Sequence, residues 1–109
     1  MAIKVQNTTV INDSLGLENF KIDTQEISSN TNATTGSFYV ATADLTLTLP
    51  SSPSIGDIVG FQNSSGVDTC VIARNGERIM SVEEDLIVDS LNASINLQYA
   101  GSTTGWVFF

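Results

Sequence analysis

Six carboxylates, Asp57, Asp68, Glu83, Glu84, Asp85 and Asp89, are the side chains here whose type and spacing come nearest to chemistry. Two carboxylates suffice for glycoside hydrolysis, which can run without histidine. No short spacing among the six points to a cleft, however, and acids at turns and strand ends serve solubility equally well. Oxygen-rich loops also hold calcium, yet Glu83-Glu84-Asp85 with Asp89 lacks the D-x-D-x-D-G spacing of a calcium loop. Histidine is absent altogether, which removes Ser-His-Asp and Cys-His nucleophile pairs and the commonest metal ligand. Cys70 is the single cysteine, so no intramolecular disulfide and no thiolate metal site is expected. Its neighbours Thr69 and Val71 suit a strand, where a lone cysteine packs as a small apolar residue. Arg74 and Arg78 flank a turn and are expected to pair with nearby acids. No catalytic residue, metal site or cofactor site is expected, and a small-molecule ligand is not expected either.

Charge narrows the partners. Twelve acidic residues against four basic ones give a net charge of −8. Such a chain repels phosphate backbones and anionic membrane surfaces, so neither nucleic acid nor membrane is an expected partner. No apolar run approaches the roughly 20 residues of a membrane span. The start, Met1-Ala2-Ile3-Lys4, does not resemble a signal peptide, which implies synthesis in the cytoplasm.

The elements that must position these residues read as strands. Leu45, Leu47 and Leu49 alternate with Thr46 and Thr48, the period-two mark of a half-buried strand. Pro50 and Pro53 stop the ladder, and Gly56-Asp57 restart the chain into Ile58, Val59 and Phe61. Ile95, Leu97 and Tyr99 alternate in the same way with Ser94, Asn96 and Gln98. Further strand signals fall at Phe38-Tyr39-Val40, Cys70-Val71-Ile72, Leu86-Ile87-Val88 and Trp106 to Phe109, with turns at Asn63 to Gly66 and Arg74 to Glu77. About a third of the chain is Ser, Thr or Asn, a composition suited to the outer faces of sheets rather than to helices. At 109 residues there is room for one core.

The chain divides near Gly36. Residues 37–109 predict an all-β, compact antiparallel module, sandwich or barrel-like. Residues 1–36 predict an extended N-terminal arm of short strands, with a hairpin around Asn12-Asp13-Ser14 and a linker from Ser28 to Gly36. An arm this thin buries nothing alone and must lie on a neighbour, which makes Ile3, Val5, Val10, Ile11 and Phe20 candidate partner contacts. At the other end Tyr99, Trp106, Phe108 and Phe109 crowd the last eleven residues. Trp106 is expected in the core. Phe108 and Phe109 join the candidate partner contacts, with core and neighbour both open to them.

The run from Tyr39 to Asp57, Y-V-A-T-A-D-L-T-L-T-L-P-S-S-P-S-I-G-D, resembles the opening of a β-module of tailed-phage virion proteins. In that module a T-x-T-L-P-x-x-P-x-x-G-D phrase leads through a D/N-x-S-G turn and an N-G-x-x-I-x-G stretch to L-x-Y-x-G-x-x-x-G-W. The matching pieces here are Asn63 to Gly66, Asn75 to Met80, and Leu97 to Gly101 with Gly105-Trp106. Ser81 stands where the module has glycine. The phrase Thr8 to Ser14, with Leu17 and Asn19, is similar to segments in fibre and other virion proteins of marine phages, cyanophages especially. The resemblance implies a non-enzymatic structural protein, usually a homotrimer, found in tail fibres and head-attached proteins alike.

The sequence has no internal repeat and no second domain, as a fibre shaft with a receptor-binding tip would require. The expected function is therefore an outer capsid-decoration or cement protein on the virion surface. Its expected partners are other copies of itself and the major capsid protein. A short tail-fibre, collar or tail-attachment subunit is the first alternative. A carbohydrate-binding or adhesion β-domain using Trp106 and Tyr99 is the second.

Overall fold

A computed structural model of the chain describes residues 3–5, 8–11, 23–66 and 69–109. Every regular element among them is a strand, and no helix is long and apolar enough to cross a membrane. β1 (Ile3–Val5) and β2 (Thr8–Ile11) pair antiparallel, with Ile3 opposite Ile11 and Val5 opposite Thr8. The turn expected at Asn12 to Ser14 lies outside the described residues.

From Asp23 onward the chain alternates between two sheets. β3 (Asp23–Ile27), β5 (Ser37–Ala41) and β7 (Ile58–Asn63) are successive parallel neighbours in one sheet. β4 (Thr31–Asn32), β6 (Thr46–Thr48) and β8 (Cys70–Ala73) are successive parallel neighbours in the other. Each pair β3–β4, β5–β6 and β7–β8 is thus one rung of a stack. The stack then closes with antiparallel strands: β9 (Leu86–Val88) on β8, β10 (Ser94–Tyr99) on β7, and β11 (Trp106–Phe108) on β10. The strand orders are β11-β10-β7-β5-β3 and β4-β6-β8-β9.

The all-β expectation holds, and its antiparallel detail is corrected: both sheets are mixed. The reason is the connectivity. A chain that crosses to the opposite sheet after every strand returns to the first sheet running the same way, and parallel neighbours result. Side-chain alternation is identical in the two arrangements, so it carries no sign of strand direction. Residues 28–36, expected to be linker, contribute β4, and Ala33 packs against the core. The Asn30 side chain accepts from the Thr46 N–H at 2.8 Å, and the Tyr39 hydroxyl accepts from the Thr34 N–H at 2.7 Å. These bonds fasten a polar stretch that has little apolar surface of its own.

The core fills the space between the sheets. Tyr39, Val59, Phe61, Leu97 and Trp106 come from one sheet, and Leu47, Cys70, Ile72 and Val88 from the other. Leu45 and Leu49, flanking β6, are buried with them, so the whole L-T-L-T-L alternation points inward as expected. Trp106 is fully enclosed and meets Tyr99 edge-on, ring centres 5.4 Å apart at 61°. Burying a ring of that size is worth about 5 kcal/mol at ~25 cal/mol per Å².

After Leu49 the turn is built by its own side chain. The Asp57 carboxylate accepts from the Ser54 N–H at 2.8 Å, and the Gly56 N–H donates to the Tyr99 carbonyl at 2.9 Å. Gly56 has φ +98°, which glycine adopts without strain. Asn63 ends β7 fully buried, its side-chain oxygen taking the Ser65 N–H at 3.1 Å and the Ser65 hydroxyl. Cys70 is fully buried beside it, its Sγ 3.5 Å from the same oxygen. It is the small core residue its neighbours predicted. Asn75-Gly76 have φ of +51° and +92°, as a type I′ turn requires.

Candidate partner-binding surface

The inward rows of the two sheets explain where a binding surface forms. Residues that pair across neighbouring strands share a face. In one sheet Ser37, Val59, Leu97 and Phe108 make one such row, running from β5 to β11. In the other, Thr31, Leu47, Ile72 and Leu86 make the corresponding row from β4 to β9. Interior members of both rows are sealed. Phe108 and Leu86 end them, and there the space between the sheets opens to solvent.

The opening is a groove of about 260 Å³ lined by Ile79, Met80, Val82, Leu86 and Phe108, with Glu84 and Asp85 on its rim. A second hollow of about 140 Å³ continues it past Ile87, Asp89 and Ile95, with Leu86 and Phe108 shared between the two. Phe108 is 44% exposed, Phe109 63% and Ile87 62%. Contiguous exposed apolar side chains of this size, rimmed by polar ones, mark contact surfaces.

A bend holds one wall in place. The Ile79 and Val82 main chains exchange hydrogen bonds at 3.0 Å, and Met80 and Ser81 between them have φ of +52° and +69°. The Met80 N–H donates to the Trp106 carbonyl and the Ser81 N–H to the Thr104 carbonyl, each at 2.8 Å. The Trp106 N–H donates to the Arg78 carbonyl at 2.7 Å. The two distant phrases Asn75 to Met80 and Gly105-Trp106 are thus one structural unit, and Met80 and Val82 are pressed outward by it. Asp85 fixes the far end of the bend by accepting from the Arg74 N–H at 2.9 Å.

Electrostatics along this wall are one-sided. Glu84, Asp85 and Asp89 line the groove, and no cation among the described residues does. The Arg74 guanidinium donates to the Glu77 carbonyl at 3.0 Å and that of Arg78 to the Thr103 carbonyl at 3.1 Å. Both arginines were expected to pair with acids; both satisfy backbone oxygens instead. Behind the wall the Tyr99 hydroxyl donates to the Glu77 carboxylate at 2.5 Å. That bond, helped by burial and by the carboxylate's charge, raises the Tyr99 pKa above its usual 10.0.

Of the residues expected to contact partners, Phe108 lines the groove and Phe109 lies beside it, its N–H held by the Asn96 carbonyl at 3.0 Å. Ile3 and Val5 fall on β1 and Val10 and Ile11 on β2; Phe20 lies outside the described residues. Met80, Val82, Leu86 and Ile87 escaped the sequence expectation. Their signal was present: an acidic triplet, Glu83 to Asp85, set between two apolar pairs.

Of the acids considered for chemistry, Glu84, Asp85 and Asp89 lie along the groove and Asp57 lies apart from them. Asp57 serves its own turn and Asp85 the Arg74 N–H; Asp68 lies outside the described residues. No three acid or cysteine side chains among the described residues converge on a metal-sized site. Trp106 and Tyr99 are enclosed, so neither offers a ring face to a sugar. Comparison with protein-family models and with curated proteins finds no match for this chain.

Proposed function

We propose that the chain is a structural protein of a phage virion, an outer capsid-decoration or cement protein that trimerises and clamps the shell through its N-terminal arm. The observation that carries this reading is the groove at the end of the strand stack, where a rigid body presents apolar side chains on a surface suited to protein contact. The chain's likeness to the tailed-phage β-module supplies the setting, and its Asn75 to Met80 and Gly105-Trp106 phrases interlock. Linking three weak arms into one trimer multiplies their effective concentration.

A short tail-fibre, collar or tail-attachment subunit is the second reading. Stacked parallel rungs favour it, because that geometry extends by repetition. The adhesion-domain alternative has lost its sugar platforms.

Shells lacking the protein test the proposal. The purified chain should sediment with them saturably, and a chain without residues 1–22, which keeps β3 onward, should not. Undiminished sedimentation of the shortened chain contradicts the clamp. A monomer by light scattering contradicts the trimer.

A further inference from the structure

Resting on the reading of the groove as a contact surface, we infer that it receives an extended segment of a different protein, alternating apolar and cationic, laid along the outer edge of β9. Three features choose that occupant. First, the groove is where the inward rows stop: a further strand carrying apolar residues at alternate positions would extend those rows past Leu86 and Phe108. Second, the β9 edge can accept a strand. The Val71 N–H bonds to the Leu45 carbonyl on the β6 side. The ladder bonds to β9 therefore come from Cys70 and Ile72, and the main-chain groups of Ile87 face away from β8. Strand addition at such an edge draws affinity from the backbone and specificity from alternate side chains.

Third, charge excludes a second copy of this body. Glu84, Asp85 and Asp89 line the groove, and Glu83 adjoins them. Two copies joined groove to groove would press these acids together. The opposite end of the stack is no better suited. Its inward row on β3 begins with Asp23 and Gln25, both exposed and polar. A partner bringing lysine or arginine to the rim meets complementary charge, and the match adds on-rate and selectivity.

The test titrates the isotope-labelled full chain with three capped octapeptides, alternating valine–lysine, valine–glutamate and serine–lysine. The valine–lysine peptide is expected to shift the amide resonances of Leu86, Ile87 and Phe108. Its affinity should exceed that of each control by about tenfold and weaken by a similar factor in high salt. Phe108→Glu should abolish the shifts. The exposed pair Glu84→Gln with Asp89→Asn should weaken binding about fivefold while leaving the spectrum otherwise native. Equal binding of the valine–glutamate peptide overturns the inference, as does no binding of valine–lysine. Self-association that Phe108→Glu dissolves overturns it too, by giving the groove to a second copy. These titrations need no particle, so their failure is distinct from failure to bind shells.

Discussion

Leu97 and Phe108 stand directly opposite each other on β10 and β11, in the same inward row, yet Leu97 is sealed and Phe108 is 44% exposed. Equal register with unequal burial separates an apolar residue that packs the core from one left at the surface. Leu97→Ala should cost about 3 kcal/mol, because it opens a cavity between the sheets. Phe108→Ala should cost less than about 1 kcal/mol, and its effect should fall on partner binding. Chemical denaturation of both variants checks the contrast.

Gly105 lies so close to Arg78 that an added β-carbon would fall 1.9 Å from the Arg78 carbonyl oxygen, and its φ is +76°. Backbone cannot move aside there without breaking the Trp106–Arg78 hydrogen bond. Gly105→Ala should therefore destabilise by about 3 kcal/mol or more. A midpoint close to that of the parent chain in guanidinium would contradict the interlock of the two phrases.

Ser81 occupies the left-handed region at φ +69°, a conformation that glycine adopts without strain. The strain of a side chain there, about 1–2 kcal/mol, exceeds the extra unfolded-state freedom glycine brings. Ser81→Gly should stabilise by about 0.5–1 kcal/mol, whereas Ser81→Val should destabilise. Thermal melts of the two variants, moving in opposite directions, are the expected outcome.

The Tyr99–Glu77 hydrogen bond gives stability a base limit. The folded pKa of Tyr99 is raised above the usual 10.0, so the folded state holds this proton more tightly than the unfolded chain. The contribution is complete below pH 10 and drains away as pH rises through the raised value. Urea unfolding across this window should show the parent chain losing stability faster than Tyr99→Phe, which has no phenolic proton to lose.

Much of this fold was legible in the residues. Leu45, Leu47 and Leu49, and likewise Leu97 and Tyr99, turn inward as their alternation dictates. Asn75-Gly76 form the turn that their types demand. Strand direction was not legible, since the period-two pattern of Tyr39 and Phe61 serves parallel and antiparallel neighbours alike. The rungs also escaped notice because they are repeats of geometry. The partners Thr31, Leu47 and Ile72 share a position in the stack with no common residue type. Thr31 and Asn32 looked like linker because an edge strand this short is held by backbone bonds rather than by apolar side chains. The groove was half legible: Phe108 was marked by its aromatic character, while Leu86 and Ile87 read as an ordinary strand. Their exposure depends on where the stack ends, and no local pattern records that.

Counting is the most direct test of what the protein is for. Quantitative mass spectrometry of purified virions, with the major capsid protein as internal standard, should find on the order of hundreds of copies per particle, in a ratio fixed by the shell lattice. A number on the order of ten would move the protein to the tail or collar, and its absence from washed particles would contradict the account altogether.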